Sequence, residues 1–140
     1  HFLKVYAYAD TIGRLEGLPA KRLAILQTAA VLHDIGIHKA EEKYGSSSGH
    51  FQEIEGPAPA RAILEELGAA EDFIERVTFL IAHHHTYSGV DGVDYQILLE
   101  ADFLVNAYED QLKPEAVRTF KEKVFRTQTG LELLKYTYGV

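Results

Sequence analysis

Residues 23–36 read LAILQTAAVLHDIG, and this stretch decides the fold. Its hydrophobic residues recur at helical rather than strand period, at Leu23, Leu26, Ala30 and Leu32. Gly36 is a typical helix stop, which predicts His33 and Asp34 in the last helical turn. An ionised aspartate that ends an apolar face must be paired, hydrogen-bonded or bound to a cation, because an isolated buried charge is too costly. A cation is the simplest of these partners.

The two polar residues of this stretch do not complete a metal site. Adjacent helical residues point about 100° apart, so His33 and Asp34 can share an ion only over the edge between them. The other candidate ligands in the sequence are His1, His50, the run His83–His85, and Asp102.

Composition limits the classes of protein that this chain can be. Its 140 residues predict a single domain over residues 1–140 with one core. A formal charge of −7 disfavours a nucleic-acid polymer or an anionic membrane as partner, since both are bound mainly through Lys and Arg. The chain has no cysteine, which leaves histidine and carboxylate as metal ligands.

No targeting signal stands out in the sequence. No apolar run approaches the roughly 20 residues that span a bilayer, and no signal-peptide pattern opens the chain, so a cytoplasmic protein is expected. The first residue is histidine rather than methionine, so residues can be missing upstream.

Hydrophobic periodicity predicts an all-α fold, a bundle of about six to seven helices. The expected helices cover residues 1–17, 20–35, 57–67, 70–84, 95–108, a segment that starts at Pro114, and 131–138. Residues 39–56 are polar and rich in Gly and Ser, and we expect a functional or mobile loop there.

Three predicted helices carry a metal-ligand type at the end of an apolar face or within it. These residues are His33 with Asp34, His84, and Asp102, and converging helices would bring them together. The mid-helix position of Asp102 disfavours a capping role. His83–His85 could instead interact with a helix macrodipole, although three histidines exceed that need. His85 is expected to face away from His84.

Four further residues have both a functional and an ordinary interpretation. Glu53 and Glu55 precede a predicted helix, where carboxylates are favoured electrostatically, and they could also be second-metal ligands or a general base. Lys39 and His50 could contact a phosphate, and both could equally be exposed surface residues.

Three segments together resemble the HD-domain superfamily of metal-dependent phosphohydrolases. They are HFLKVYAYA at residues 1–9, AAVLHDIG at 29–36 and LLEAD at 98–102. The resemblance implies one ion held by His1, His33, Asp34 and Asp102. IAHH at residues 81–84 is similar to the histidine pair that adds a second ion in some members. The intermediate histidine of those members has no match, because EIEGP stands at residues 53–57.

The resemblance also implies an activity. We expect a metal-dependent phosphatase or phosphodiesterase that acts on a small phosphate ester, a nucleotide, with Asp34, His83 and His84 as catalytic residues. The ligand types suit Mn, Mg, Fe, Ni, Co or Zn, as one or two ions. TYSG at residues 86–89 replaces the Gly-Tyr-Pro signature of relatives that cleave cyclic dinucleotides. Alternatives are a di-iron oxygenase of the same superfamily and a non-catalytic metal- and nucleotide-binding module.

Overall fold

In the computed structural model, residues 1–140 form nine α-helices and no β-strand. The helices are α1 Phe2–Leu15, α2 Ala20–Leu32, α3 Ile37–Tyr44, α4 Gly49–Glu55, α5 Pro57–Glu66, α6 Glu71–His83, α7 Val93–Glu109, α8 Pro114–Val124 and α9 Gln128–Tyr138. The predicted all-α class is confirmed, and no helix is both long enough and apolar enough to cross a membrane.

Helix α7 is the centre of the bundle. Of its 17 residues, 12 are buried, and it packs against α1, α2, α8 and α9. Because α7 is covered on nearly all sides, it has little amphipathic period, and even polar residues such as Asp94 and Glu100 are buried in it. It contributes the largest share of a core cluster of 26 buried hydrophobic residues. Asp102 interrupts this buried helix and is itself only 4% exposed.

The prediction of a loop over residues 39–56 is wrong, and it explains why six to seven helices were expected instead of nine. Helix α3 buries only Ala40, and the seven-residue α4 buries only Gln52, so neither gives an apolar stripe. The real connection is short and begins at Gly45, whose φ of 68° is the left-handed conformation that ends α3.

Close backbone contacts hold α4 against the end of the HDIG segment. A Cβ atom added to Gly36 would lie 2.6 Å from the backbone nitrogen of Gly56, so a side chain at residue 36 would separate the two segments. Glycine at this position therefore lets the junction of α4 and α5 approach the turn that carries His33 and Asp34.

A buried carboxylate joins α7 to the start of α9. Glu100 is fully buried, and it accepts hydrogen bonds from Gln96, from the backbone nitrogen of Arg126, and from both the backbone nitrogen and the hydroxyl of Thr127. A buried charge is tolerated when it is satisfied in this way. Gly130 is required nearby, because a Cβ there would approach Glu100 Oε1 to 1.9 Å.

Candidate metal centre

Four side chains from three parts of the chain meet at one end of the bundle. His1 precedes α1, His33 and Asp34 follow α2, and Asp102 lies on α7. His1 Nε2 lies 3.1 Å from Asp102 Oδ1 and 3.2 Å from Asp34 Oδ2. His33 Nε2 lies 3.3 Å and 3.2 Å from the same two oxygens. Neighbouring ligands of an ion bound at 2.0–2.2 Å stand roughly 3.0–3.5 Å apart, which these distances match.

Hydrogen bonds on the far side of each ring orient the two histidines. His1 Nδ1 lies 2.5 Å from Glu109 Oε1, and His33 Nδ1 lies 2.6 Å from the carbonyl oxygen of Ala30. Both acceptors require the proton on Nδ1, so Nε2 of each ring faces Asp34 and Asp102, and whenever a ring is neutral that nitrogen carries the lone pair. This tautomer is the one that binds a metal through Nε2.

The surroundings of the buried His33 Nε2 nitrogen indicate whether a cation fits between the ligands. His33 is fully buried, and its Nε2 makes no hydrogen bond, although two carboxylate oxygens lie within 3.3 Å. The oxygens therefore surround this nitrogen without lying where an N–H bond would point. Unsatisfied buried polar atoms are rare and costly. A metal ion that shares the oxygens with Nε2 would satisfy all three atoms.

The pKa values report how strongly the four groups attract positive charge. The hydrogen bond to Asp102 raises the pKa of His1 to about 9, against the opposing effect of burial. Burial would lower the pKa of His33, but the carboxylates of Asp102 and Asp34 raise it to about 10. Burial would also raise the pKa of Asp102, and His1 and His33 instead hold it well below its usual range. A site with this charge balance favours a cation.

A second group of acceptor atoms lies beside the first. His84 Nδ1 donates to the carbonyl oxygen of Ile81, so its Nε2 is an acceptor, and it lies 3.2 Å from Gln52 Oε1 and 3.7 Å from Asp34 Oδ1. Burial, with the nearby charges of His85 and His33, lowers the pKa of His84 to about 4. His84 is therefore neutral at pH 7, and Asp34 presents one oxygen to each group.

The metal cavity, as we call the opening to this centre, has a volume of about 260 Å³. Its walls come from the residue before α1, the turn after α2, the helices α3, α4 and α7, and the segment after α6, namely His1, Asp34, Ile37, Gln52, His85, Asp102 and Asn106. No lysine or arginine lines it, so a bound phosphate would have to obtain its positive charge from an ion.

The three consecutive histidines have different surroundings. His83 donates from Nδ1 to the carbonyl oxygen of Phe79, and its ring packs against Phe79 and Tyr95, so its contacts do not support the predicted catalytic role. His85, expected to be a bystander, lines the metal cavity with its Nε2 3.2 Å from Gln52 Oε1. The reason is that α6 ends at His83, so helical geometry no longer applies to His85.

The remaining predicted residues lie around the centre with other partners. Glu53 accepts hydrogen bonds from the backbone nitrogen of His85 and from Thr86, and Glu55 accepts one from Tyr44. Both carboxylates thus stabilise neighbouring segments. Lys39 and His50 are exposed and do not line the metal cavity.

Sequence reasoning missed Gln52 and Glu109. Gln52 is anchored by its amide nitrogen, which donates to the carbonyl oxygen of Ser47 and so points Oε1 at His84 and His85. No local pattern in the sequence singles out Gln52, because its contacts with His84 and His85 lie 32 and 33 positions away. Glu109 gave no signal, because it contacts a residue 108 positions away.

The family model of the HD domain matches residues 1–120 of the 140. The chain belongs to the HD-domain family. It is therefore a member of the HD superfamily of metal-dependent phosphohydrolases, as the three sequence segments predicted. The match includes all four residues of the centre and the neighbouring Gln52, His84 and His85. A search of curated proteins and a search of solved structures gave no match.

Proposed function

We propose that this HD domain binds a divalent ion through His1, His33, Asp34 and Asp102 and hydrolyses a small phosphate ester, a nucleotide monoester or diester. The observation that carries the proposal is His33 Nε2, a fully buried nitrogen without a hydrogen bond that faces two carboxylates. The two carboxylates beside this nitrogen attract positive charge, which a divalent ion would supply. Mn, Mg, Fe, Ni, Co and Zn all accept this set of ligands.

A divalent ion in this position supplies Lewis-acid chemistry for attack of water on phosphorus. The chain contributes the geometry around it, since Glu109 and the carbonyl of Ala30 fix the rings of His1 and His33. Asp34 presents its second oxygen to His84. One ion is the minimum that we propose, and a second would be held by Asp34, His84 and Gln52.

The departing oxygen must gain a proton when its bond to phosphorus breaks and the bond from water forms. We propose the imidazolium form of His85 for this step, because its ring lines the metal cavity with Nε2 3.2 Å from Gln52 Oε1; the proton would pass from Nε2 to the departing oxygen and leave a neutral ring. His84 is unsuited to the role, because its Nδ1 donates its proton to the carbonyl oxygen of Ile81 and its low pKa leaves Nε2 without a proton.

The proposal is tested by phosphate release from a panel of nucleotides and phosphodiesters with each of the six metals. Asp34→Ala is compared with Asp110→Ala, which removes an exposed carboxylate after α7. We expect metal-dependent turnover in the wild type and in Asp110→Ala, with a loss of about 10³-fold or more in Asp34→Ala.

Two results would replace the proposal with a different function. If no substrate of the panel is hydrolysed while metal remains bound, and the protein consumes oxygen in the presence of iron, it is an oxygenase. Thermal stabilisation by nucleotides without turnover would identify a binding module.

A further inference from the structure

A larger cavity lies beside the metal cavity and has a different chemical character. We call it the aromatic cavity; its volume is about 740 Å³. Its walls are formed mainly by side chains of α7, α8 and the segment after α6, namely Tyr87, Phe103, Leu112, Ala116, Phe120 and Lys123. A volume of this size is in the range of small-molecule sites.

Three aromatic rings form one side of the aromatic cavity. Phe103 and Phe120 stack with their ring centres 3.7 Å apart and their planes within 2° of parallel. Tyr87 meets Phe120 edge to face at 5.1 Å. Phe103 is nearly buried, whereas Tyr87 is 44% exposed, so aromatic surface remains open at the mouth.

At two places in the chain, neighbouring residues line the two cavities. On α7, Asp102 and Asn106 line the metal cavity, while Phe103 lines the aromatic cavity. After α6, His85 lines the metal cavity and Tyr87 lines the aromatic cavity. Neighbouring positions of one helix and one short segment thus line the two spaces, which places the two cavities close together.

We propose that the aromatic cavity binds a planar aromatic ring in the organic part of the ester, as in a nucleobase or an aryl group. This inference rests on the proposed function, because the phosphate must lie in the metal cavity. Aromatic side chains stack on flat unsaturated rings, and the stack tolerates different ring systems. Six of the nine lining residues are hydrophobic, so the greater part of the lining suits an apolar ring better than a bare sugar.

The test is to fill the aromatic cavity from an exposed position. Ala116 is exposed on α8, so Ala116→Phe adds a ring to the lining without displacing a core residue. Arg118→Phe places the same side chain on the same helix at an exposed position outside the lining. The readout is kcat/KM for adenosine 5′-monophosphate divided by kcat/KM for ribose 5-phosphate.

We expect Ala116→Phe to lower this ratio by about tenfold or more, because the new side chain would prevent the ring of the substrate from stacking in the aromatic cavity. Arg118→Phe should leave the ratio unchanged. An equal ratio in wild type and Ala116→Phe overturns the inference. Preference of the wild type for octyl phosphate over the nucleotide also overturns it, since the cavity would then hold an alkyl chain.

A binding measurement separates failure of this inference from failure of the proposed function. If no ester is hydrolysed, adenosine without phosphate is titrated into wild type and Ala116→Phe by calorimetry. Binding to the wild type that Ala116→Phe weakens by about tenfold supports the aromatic site although the hydrolase proposal has failed. Equal binding to both proteins, or none to the wild type, overturns the inference.

Discussion

Among single residues, Glu109 controls the orientation of a proposed ligand without binding the ion itself. It contacts His1 Nδ1 at the outer edge of the centre, and Lys4 lies 3.9 Å from its other oxygen. A carboxylate behind a metal-bound histidine fixes the ring and increases the basicity of the ligand nitrogen. Glu109 would therefore affect a bound metal through the position of His1.

We predict that Glu109→Gln weakens metal binding by about 10–100-fold, because an amide neither holds the Nδ1 proton as firmly nor contributes negative charge. Metal affinity is measured by calorimetry, with Asp110→Asn as the matched control at the next residue. Turnover at saturating metal should fall much less than affinity. Unchanged affinity in Glu109→Gln would show that His1 is held by other means.

The part of the centre that sequence could predict consists of residues with local signals. His33 and Asp34 end an apolar run, and Asp102 interrupts one, so their unusual position is visible without a structure. Gln52 and Glu109 are ordinary polar residues in their own segments. Their roles depend on contacts 32 and 108 positions away, which no local pattern records.

At the level of helices, the sequence predicts those boundaries that local chemistry enforces. Pro57, one of the two prolines predicted to open this helix, begins α5, and Gly68, with φ of 77°, follows its end as predicted. Helix α3 was missed because most of its residues face solvent, and the end of α6 was placed beyond His83 because the apolar stripe continues to His84. That last difference determines which histidine faces the metal cavity.

Asp94 joins the start of α7 to two other helices. Its side chain is fully buried and accepts hydrogen bonds from Arg76 of α6 and Arg22 of α2. Burial would raise the pKa of Asp94, and the bond from Arg76 instead lowers it. A carboxyl with a lowered folded-state pKa stabilises the protein above its unfolded value of about 3.9, and the stabilisation is lost as pH falls towards the folded value.

We predict that Asp94→Asn lowers the free energy of unfolding by about 2 kcal/mol at pH 7, less than for a fully buried pair because Arg22 is 53% exposed. The difference from wild type should shrink as pH falls below about 4. Urea denaturation of both proteins at a series of pH values measures this difference in the free energy of unfolding. Asp91→Asn, which faces the same Arg76 from an exposed position, is the control. A difference that stays constant down to pH 3 would contradict the assignment.

For the whole molecule, the hydrophobic core extends well beyond the centre. The cluster of 26 buried hydrophobic residues draws on α1, α2 and α5 to α9. A core of this extent can hold the bundle together without a metal. We therefore expect an ion to increase stability by binding the native state, and not to be required for folding.

We predict that metal at about 100 times its Kd stabilises the wild type by about 2.7 kcal/mol and raises Tm by about 5–10 °C. Asp34→Ala should keep its helical circular-dichroism signal and lose the metal-dependent shift in Tm. Asp110→Ala should behave as wild type. Loss of the helical signal in Asp34→Ala would show instead that the ion is structural.

The separation of the ligands along the chain has a kinetic consequence. His1 and Asp102 stand 101 positions apart, so an ion held by both acts as a reversible cross-link between the first and seventh helices. A disordered chain must close a loop of that length before it offers the same ligands, at an entropic cost that grows with loop length. The ion should therefore bind late in folding and chiefly slow unfolding. Metal supply would then set how long each folded molecule survives, rather than how quickly it forms.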